Sequence, residues 1–118
     1  MTAREHLTFW RLLLAVAITV AIVMALLPTP PMVPASDKTQ HMAAFGVLTV
    51  LSALAYPMAR LYRIGERLSF LGAMIEVAQS IPALHRDCDI LDWVADTSMI
   101  VAVLVVIALV RSRRAVAP

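Results

Sequence analysis

The stretch from Trp10 to Leu27 is apolar at almost every position after Arg11, and it stops at a run of prolines: Pro28, Pro30, Pro31 and Pro34. A helix crossing a bilayer core of about 30 Å needs roughly 20 apolar residues. Proline cannot continue such a helix, because it lacks the backbone donor and its ring clashes with the preceding turn. Three further stretches approach the same length. One runs from about Asp37 to Pro57, with Asp37 as its helix cap and Gln40 as the capping partner. Another spans about Glu66 to Leu84 and is the least hydrophobic, since it carries Glu76 and Gln79. The last begins near Asp89 and runs to Val110. Composition agrees with four crossings. Of 118 residues, 61% are hydrophobic and 15% charged, with a mean hydropathy of +0.83. Soluble domains carry about 25% charged residues, and a small one must keep most of its surface wet.

Basic residues set the orientation. Arg4 and Arg11 flank the first helix, Arg60, Arg63 and Arg67 fill the second connection, and Arg111, Arg113 and Arg114 follow the fourth helix. Only Lys38 and Arg86 fall in the other two connections. An excess of Lys and Arg marks the cytoplasmic side. The expected architecture is therefore all-α: a polytopic membrane protein with four transmembrane helices, about 10–27, 37–57, 66–84 and 89–110, and both termini cytoplasmic. The chain 1–118 forms a single domain. A competing reading makes the first helix a signal peptide cleaved near Val33-Pro34-Ala35. Its apolar core is long for that role, and an uncleaved helix is the expectation. A net charge of +2 gives no argument for nucleic acid, and a single cysteine, Cys88, rules out an intrachain disulfide.

The acids are distributed unevenly. Only Glu5 and Glu66 fall on the cytoplasmic side; Asp37, Asp87, Asp89, Asp92 and Asp96 fall outside, and Glu76 lies within the third helix. Glu76 stands about midway between Arg67 and Arg86, which places it deep in the bilayer, facing the bundle interior. A charge there costs roughly 2.5–3.5 kcal/mol. Gln79 shares its helix face. Asp89, Asp92 and Asp96 repeat at i, i+3 and i+7, one stripe of a helix. Asp89 fits the helix cap, whereas Asp96 is too far along to serve as one. The stripe requires a cationic partner, for which Arg86, Lys38 and His41 are the candidates. His41 with Glu76 could act as acid and base. With Asp92 and Asp96 the same residues could offer nitrogen and oxygen ligands to a divalent metal. No His-Glu-x-x-His motif is present, and the reading assigns no metal and no cofactor. Trp10, Trp93 and Tyr56 near helix ends read as interfacial anchors.

These residues also carry a pattern. Ser36-Asp37-Lys38-x-x-His41-x-x-Ala44-Phe45 resembles the first signature of the VanZ-like family. Glu76-x-x-Gln79, then Arg86, then Asp92 with Ala95-Asp96-Thr97, resembles the second. The resemblance covers roughly residues 34–97. Many members have Asn at the position of Asp96 and Gly at that of Met99. The resemblance implies an integral protein of the bacterial inner membrane, acting in the cell envelope. The founding member is linked to teicoplanin resistance, and most members have no defined biochemical activity.

The functional expectation is an outward-facing polar pocket that binds or modifies a lipid-linked or anionic envelope ligand. His41 and Glu76 are the candidate catalytic pair; Asp37, Lys38, Gln79, Arg86, Asp92 and Asp96 are the candidate binding residues. Membrane lipid or a lipid-linked molecule is the expected partner. The alternative is a non-enzymatic subunit of a larger membrane complex, docking through small residues such as Ala43, Ala44, Gly46, Gly72 and Ala73. A proton pathway through Glu76 and Asp96 ranks third.

Overall fold

A computed structural model describes residues 1–28, 35–84, 86 and 88–116. Pro30, Pro31 and Pro34 of the proline cluster, Asp87 and most of the Val33-Pro34-Ala35 site lie outside the described residues. Among those described, the chain is all-α, with four α-helices and one short 3-10 turn: α1 (Ala3–Leu26), α2 (Asp37–Ala55), α3 (Leu61–Gln79), the turn Pro82–Leu84, and α4 (Ile90–Val116).

Several boundaries differ from the sequence-based expectation, each for a local reason. α1 starts at Ala3 rather than near Trp10. Thr2 and Glu5 form a reciprocal capping box that satisfies two orphan donors. α2 is capped by Ser36, whose hydroxyl accepts from Thr39 N, and not by Asp37. Gln40 instead donates to the Ala35 carbonyl. α3 starts at Leu61, well before Glu66. Leu61, Ile64 and Leu68 recur at helical spacing and turn inward, while Arg63 and Glu66 pair on the exposed side at 3.8 Å. α3 ends at Gln79, short of Leu84. The Ser80 hydroxyl bonds back to the Val77 carbonyl, and Pro82 stops the helix. α4 runs past Val110 to Val116 because nothing in its sequence breaks it.

The helices alternate in direction. At one end the C-terminus of α1 meets the C-terminus of α3 and the residue Arg86. At the other, Arg11 of α1 donates to the Ala55 carbonyl at 3.0 Å and Arg111 of α4 reaches the Ala53 carbonyl at 3.4 Å. Both arginines thus occupy the C-terminus of α2, where unpaired carbonyls and the helix dipole favour cations. α2 and α3 form the centre. α1 packs on both from one side and α4 packs on both from the other.

This order puts the most apolar helices at the flanks. α1 and α4 each contain an 18-residue stretch of mean hydropathy 2.4 and are long and apolar enough to cross a membrane. Their outer faces expose Leu12, Val16, Val20, Val23, Val101, Val105 and Leu109. α2 and α3, at 19 residues each, are about 28 Å long. They carry more polar residues and bury them. Between the four helices, Phe45, Leu48, Ile64, Leu68, Ile75 and Ile100 form the core. Glycine allows the close approach of α4. A Cβ on Gly72 would sit 3.4 Å from both Phe45 and Trp93, and one on Gly46 would meet Met99 at 3.4 Å. Met99 therefore finds its room over Gly46. Gly46 and Gly72 thus face α4 within the bundle.

Candidate functional site

The polar residues converge where α1 and α3 end and α2 and α4 begin. Asp37, Lys38 and His41 occupy the first turns of α2. Asp92 and Asp96 occupy the first turns of α4, and Glu76 and Gln79 the last turn of α3. His41, Glu76, Gln79, Asp92 and Asp96 are all buried. Asp89 caps α4 by accepting from Leu91 N at 2.9 Å.

Glu76 is not at mid-helix, as its position between Arg67 and Arg86 implied. α3 ends only three residues later, so Glu76 lies one turn from the helix end. One carboxylate oxygen accepts from Asp89 N at 3.1 Å. Among the described residues the other is buried without a hydrogen-bond partner. His41 sits between two carboxylates, with Nδ1 3.6 Å from Asp96 Oδ2 and Nε2 3.7 Å from Asp37 Oδ2. Both distances exceed hydrogen-bond length. His41 Nδ1 and both Asp96 oxygens are also buried and unpartnered. Lys38 reaches Asp92 at 4.0 Å and keeps 44% of its side chain exposed. The acidic stripe of α4 therefore finds Lys38 and His41 as neighbours.

Arg86 does something else. Its Nη1 donates to the carbonyls of Leu27 at 2.9 Å and Met24 at 3.2 Å, and its Nη2 lies 3.4 Å from Asp37 Oδ1. Gln79 donates to the Ala25 carbonyl at 2.8 Å. The last turn of α1 has no partners of its own for these carbonyls. Two residues expected to bind ligand thus clamp α1 to the bundle, although Arg86 still borders the groove described next. Nothing in the α1 sequence marks this, because the acceptors are backbone atoms.

A groove of about 490 Å³ runs between α1 and α2. Its walls are apolar, among them Ala17, Ala21, Ala44, Val47 and Leu48, and its end is polar, formed by Asp37, Gln40, His41 and Arg86. Behind the acidic cluster, Trp93 donates to the Ser69 carbonyl at 2.9 Å, and Ser69 and Thr97 share a hydrogen bond of 2.9 Å. Trp93, read from sequence as an interfacial anchor, is an α3–α4 tie. Cys88 is exposed beside Glu76. Desolvation, followed by the negative charge of Glu76, pushes its thiol above the ordinary value.

Compared with known proteins, this chain matches no family model, no curated protein and no solved structure.

Proposed function

We propose that the chain is a four-span protein of the bacterial inner membrane, with both termini cytoplasmic, and a VanZ-like protein by its two signatures. The polar end of the bundle then faces outward and holds the head of an amphipathic envelope ligand, a lipid or lipid-linked anion, whose tail lies between α1 and α2. The observation that carries this reading is the groove itself: apolar along the helices and closed by Asp37, Gln40, His41 and Arg86 at one end. Lys38, next to Asp37 in the chain, 44% exposed and 4.0 Å from Asp92, is a cation that an anionic group can reach. The apolar outer faces of α1 and α4 and the buried polar centre support a bundle solvated by lipid. Buried Asp92 and Asp96 beside His41 supply acid and base groups if the ligand is modified as well as bound.

The interaction-subunit alternative draws less from the geometry, since Gly46 and Gly72 are occupied by α4. Native mass spectrometry of the protein released from its own membrane tests the proposal, with wild type beside Ala44→Phe, which fills the groove, and Lys38→Met, which removes the rim charge. A defined lipid or lipid-linked anion on the wild type, lost in both variants, is the expected result. Equal, unselective lipid in all three samples refutes it.

A further inference from the structure

His41, Glu76 and Asp92 come from three different helices, and each presents a ligand atom so that all three lie within 4.8 Å of one another. We propose that they form a site for one divalent first-row transition-metal ion. The inference stands on the geometry of this cluster and not on the identity of the envelope ligand.

Donor spacing comes first. An ion held about 2.0–2.2 Å from each donor brings the donors to within at most about 4.4 Å of each other. A contraction of a few tenths of an ångström, within reach of side-chain rotation, closes the set. Donor chemistry comes second. One imidazole and two carboxylates suit Zn²⁺, Mn²⁺ or Fe²⁺, whereas an all-oxygen set marks Mg²⁺ or Ca²⁺ and thiolates mark softer ions.

The unpartnered atoms are an independent observation. Glu76 is 6% exposed and Asp96 1%, yet among the described residues Glu76 Oε1, His41 Nδ1 and both Asp96 oxygens have no hydrogen-bond partner. Buried polar groups without partners are costly, and more so when charged. Such a group in a stable fold signals a missing partner. Four carboxyl groups, those of Asp37, Glu76, Asp92 and Asp96, crowd one imidazole, while the nearby cations are committed elsewhere or peripheral. Arg86 is bound to the Met24 and Leu27 carbonyls and to Asp37. Lys38 reaches Asp92 at 4.0 Å with 44% of its side chain exposed. A bound cation supplies the positive charge that this arrangement lacks. Asp96 Oδ2, 3.6 Å from His41 Nδ1, adds negative charge beside the site. The site opens toward the polar end of the α1–α2 groove through His41, which lines both. A metal there could meet an anionic head group directly.

The test uses the full-length chain in lipid-free detergent, without a histidine tag. The protein is stripped with EDTA and titrated with Zn²⁺, and bound metal is counted by emission spectrometry after desalting. One equivalent per chain is expected, with the dissociation constant raised at least 10-fold by Asp92→Asn, Glu76→Gln or His41→Gln and unchanged by Glu66→Gln. Should a variant fail to fold, the wild type alone decides. With Mn²⁺ and ¹⁵N-histidine labelling, pulsed electron paramagnetic resonance should show coupling to one imidazole nitrogen. Absence of a stoichiometric ion in folded wild type, binding that survives all three substitutions, or a bound ion with no imidazole coupling overturns the proposal. Because no lipid is present, these results are independent of whether the groove holds an envelope ligand.

Discussion

Arg86 and Gln79 hold the last turn of α1 from outside that helix, and removing them has a calculable effect. Replacing Arg86 with methionine keeps an apolar stem of similar reach and deletes the guanidinium. It frees the Met24 and Leu27 carbonyls and the Asp37 carboxylate. A hydrogen bond from a charged donor contributes about 1.5–3 kcal/mol. The Leu27 carbonyl sits at an exposed residue where water can replace the arginine, and Asp37 is 55% exposed. The Met24 carbonyl, at a half-buried residue, bears most of the loss. The expected destabilisation is about 2–4 kcal/mol. Gln79→Met strands the Ala25 carbonyl but also removes the unpartnered Gln79 oxygen. Its cost is therefore smaller, about 1–2 kcal/mol. Because both residues seat the same turn, the double variant should cost less than the sum of the singles once α1 has detached. Arg111→Met is the control: it loses one long contact, 3.4 Å to the Ala53 carbonyl, and should cost under about 1 kcal/mol. The assay is reversible unfolding in mixed micelles, followed by circular dichroism. If Arg86→Met costs no more than Arg111→Met, the clamp on α1 does not exist as described.

The single thiol reports orientation without any substitution. Cys88 in intact cells or right-side-out vesicles should react with a membrane-impermeant maleimide. Since its thiol is pushed upward and only the thiolate reacts, labelling should accelerate as the solution becomes more alkaline; protection from the outside reagent contradicts the outward placement. Gly72→Ala should be close to neutral, because its helix gain of about 1 kcal/mol offsets a tight contact. Gly72→Leu has no room between Phe45, Trp93 and Asp96 and should destabilise by about 1–3 kcal/mol or more by forcing α3 from α4. Equal unfolding midpoints for the two Gly72 variants would contradict the close approach.

The sequence by itself determined that the chain is helical and that four segments alternate with turns. Apolar run length and proline placement are local properties, readable without knowing any neighbour. It also singled out the candidate site residues: the acids Glu76, Asp92 and Asp96, His41 and the basic pair Lys38 and Arg86, all of which the structure brings to one end of the bundle. Helix limits were less legible. The charged start of α3 looked like a loop because Arg63, Glu66 and Arg67 lie on one exposed side of a helix whose other side is core. Only the tertiary structure decided the division of labour among the polar residues. Gln79 and Arg86 turn to backbone carbonyls of α1, which no side-chain pattern encodes. Glu76 lies near a helix end because α3 starts and stops earlier than its hydropathy implied. His41, Glu76 and Asp92 become neighbours because α4 packs against both α2 and α3. Spacing along a chain fixes the face of one helix, whereas a site shared by three helices depends on how those faces are turned toward one another.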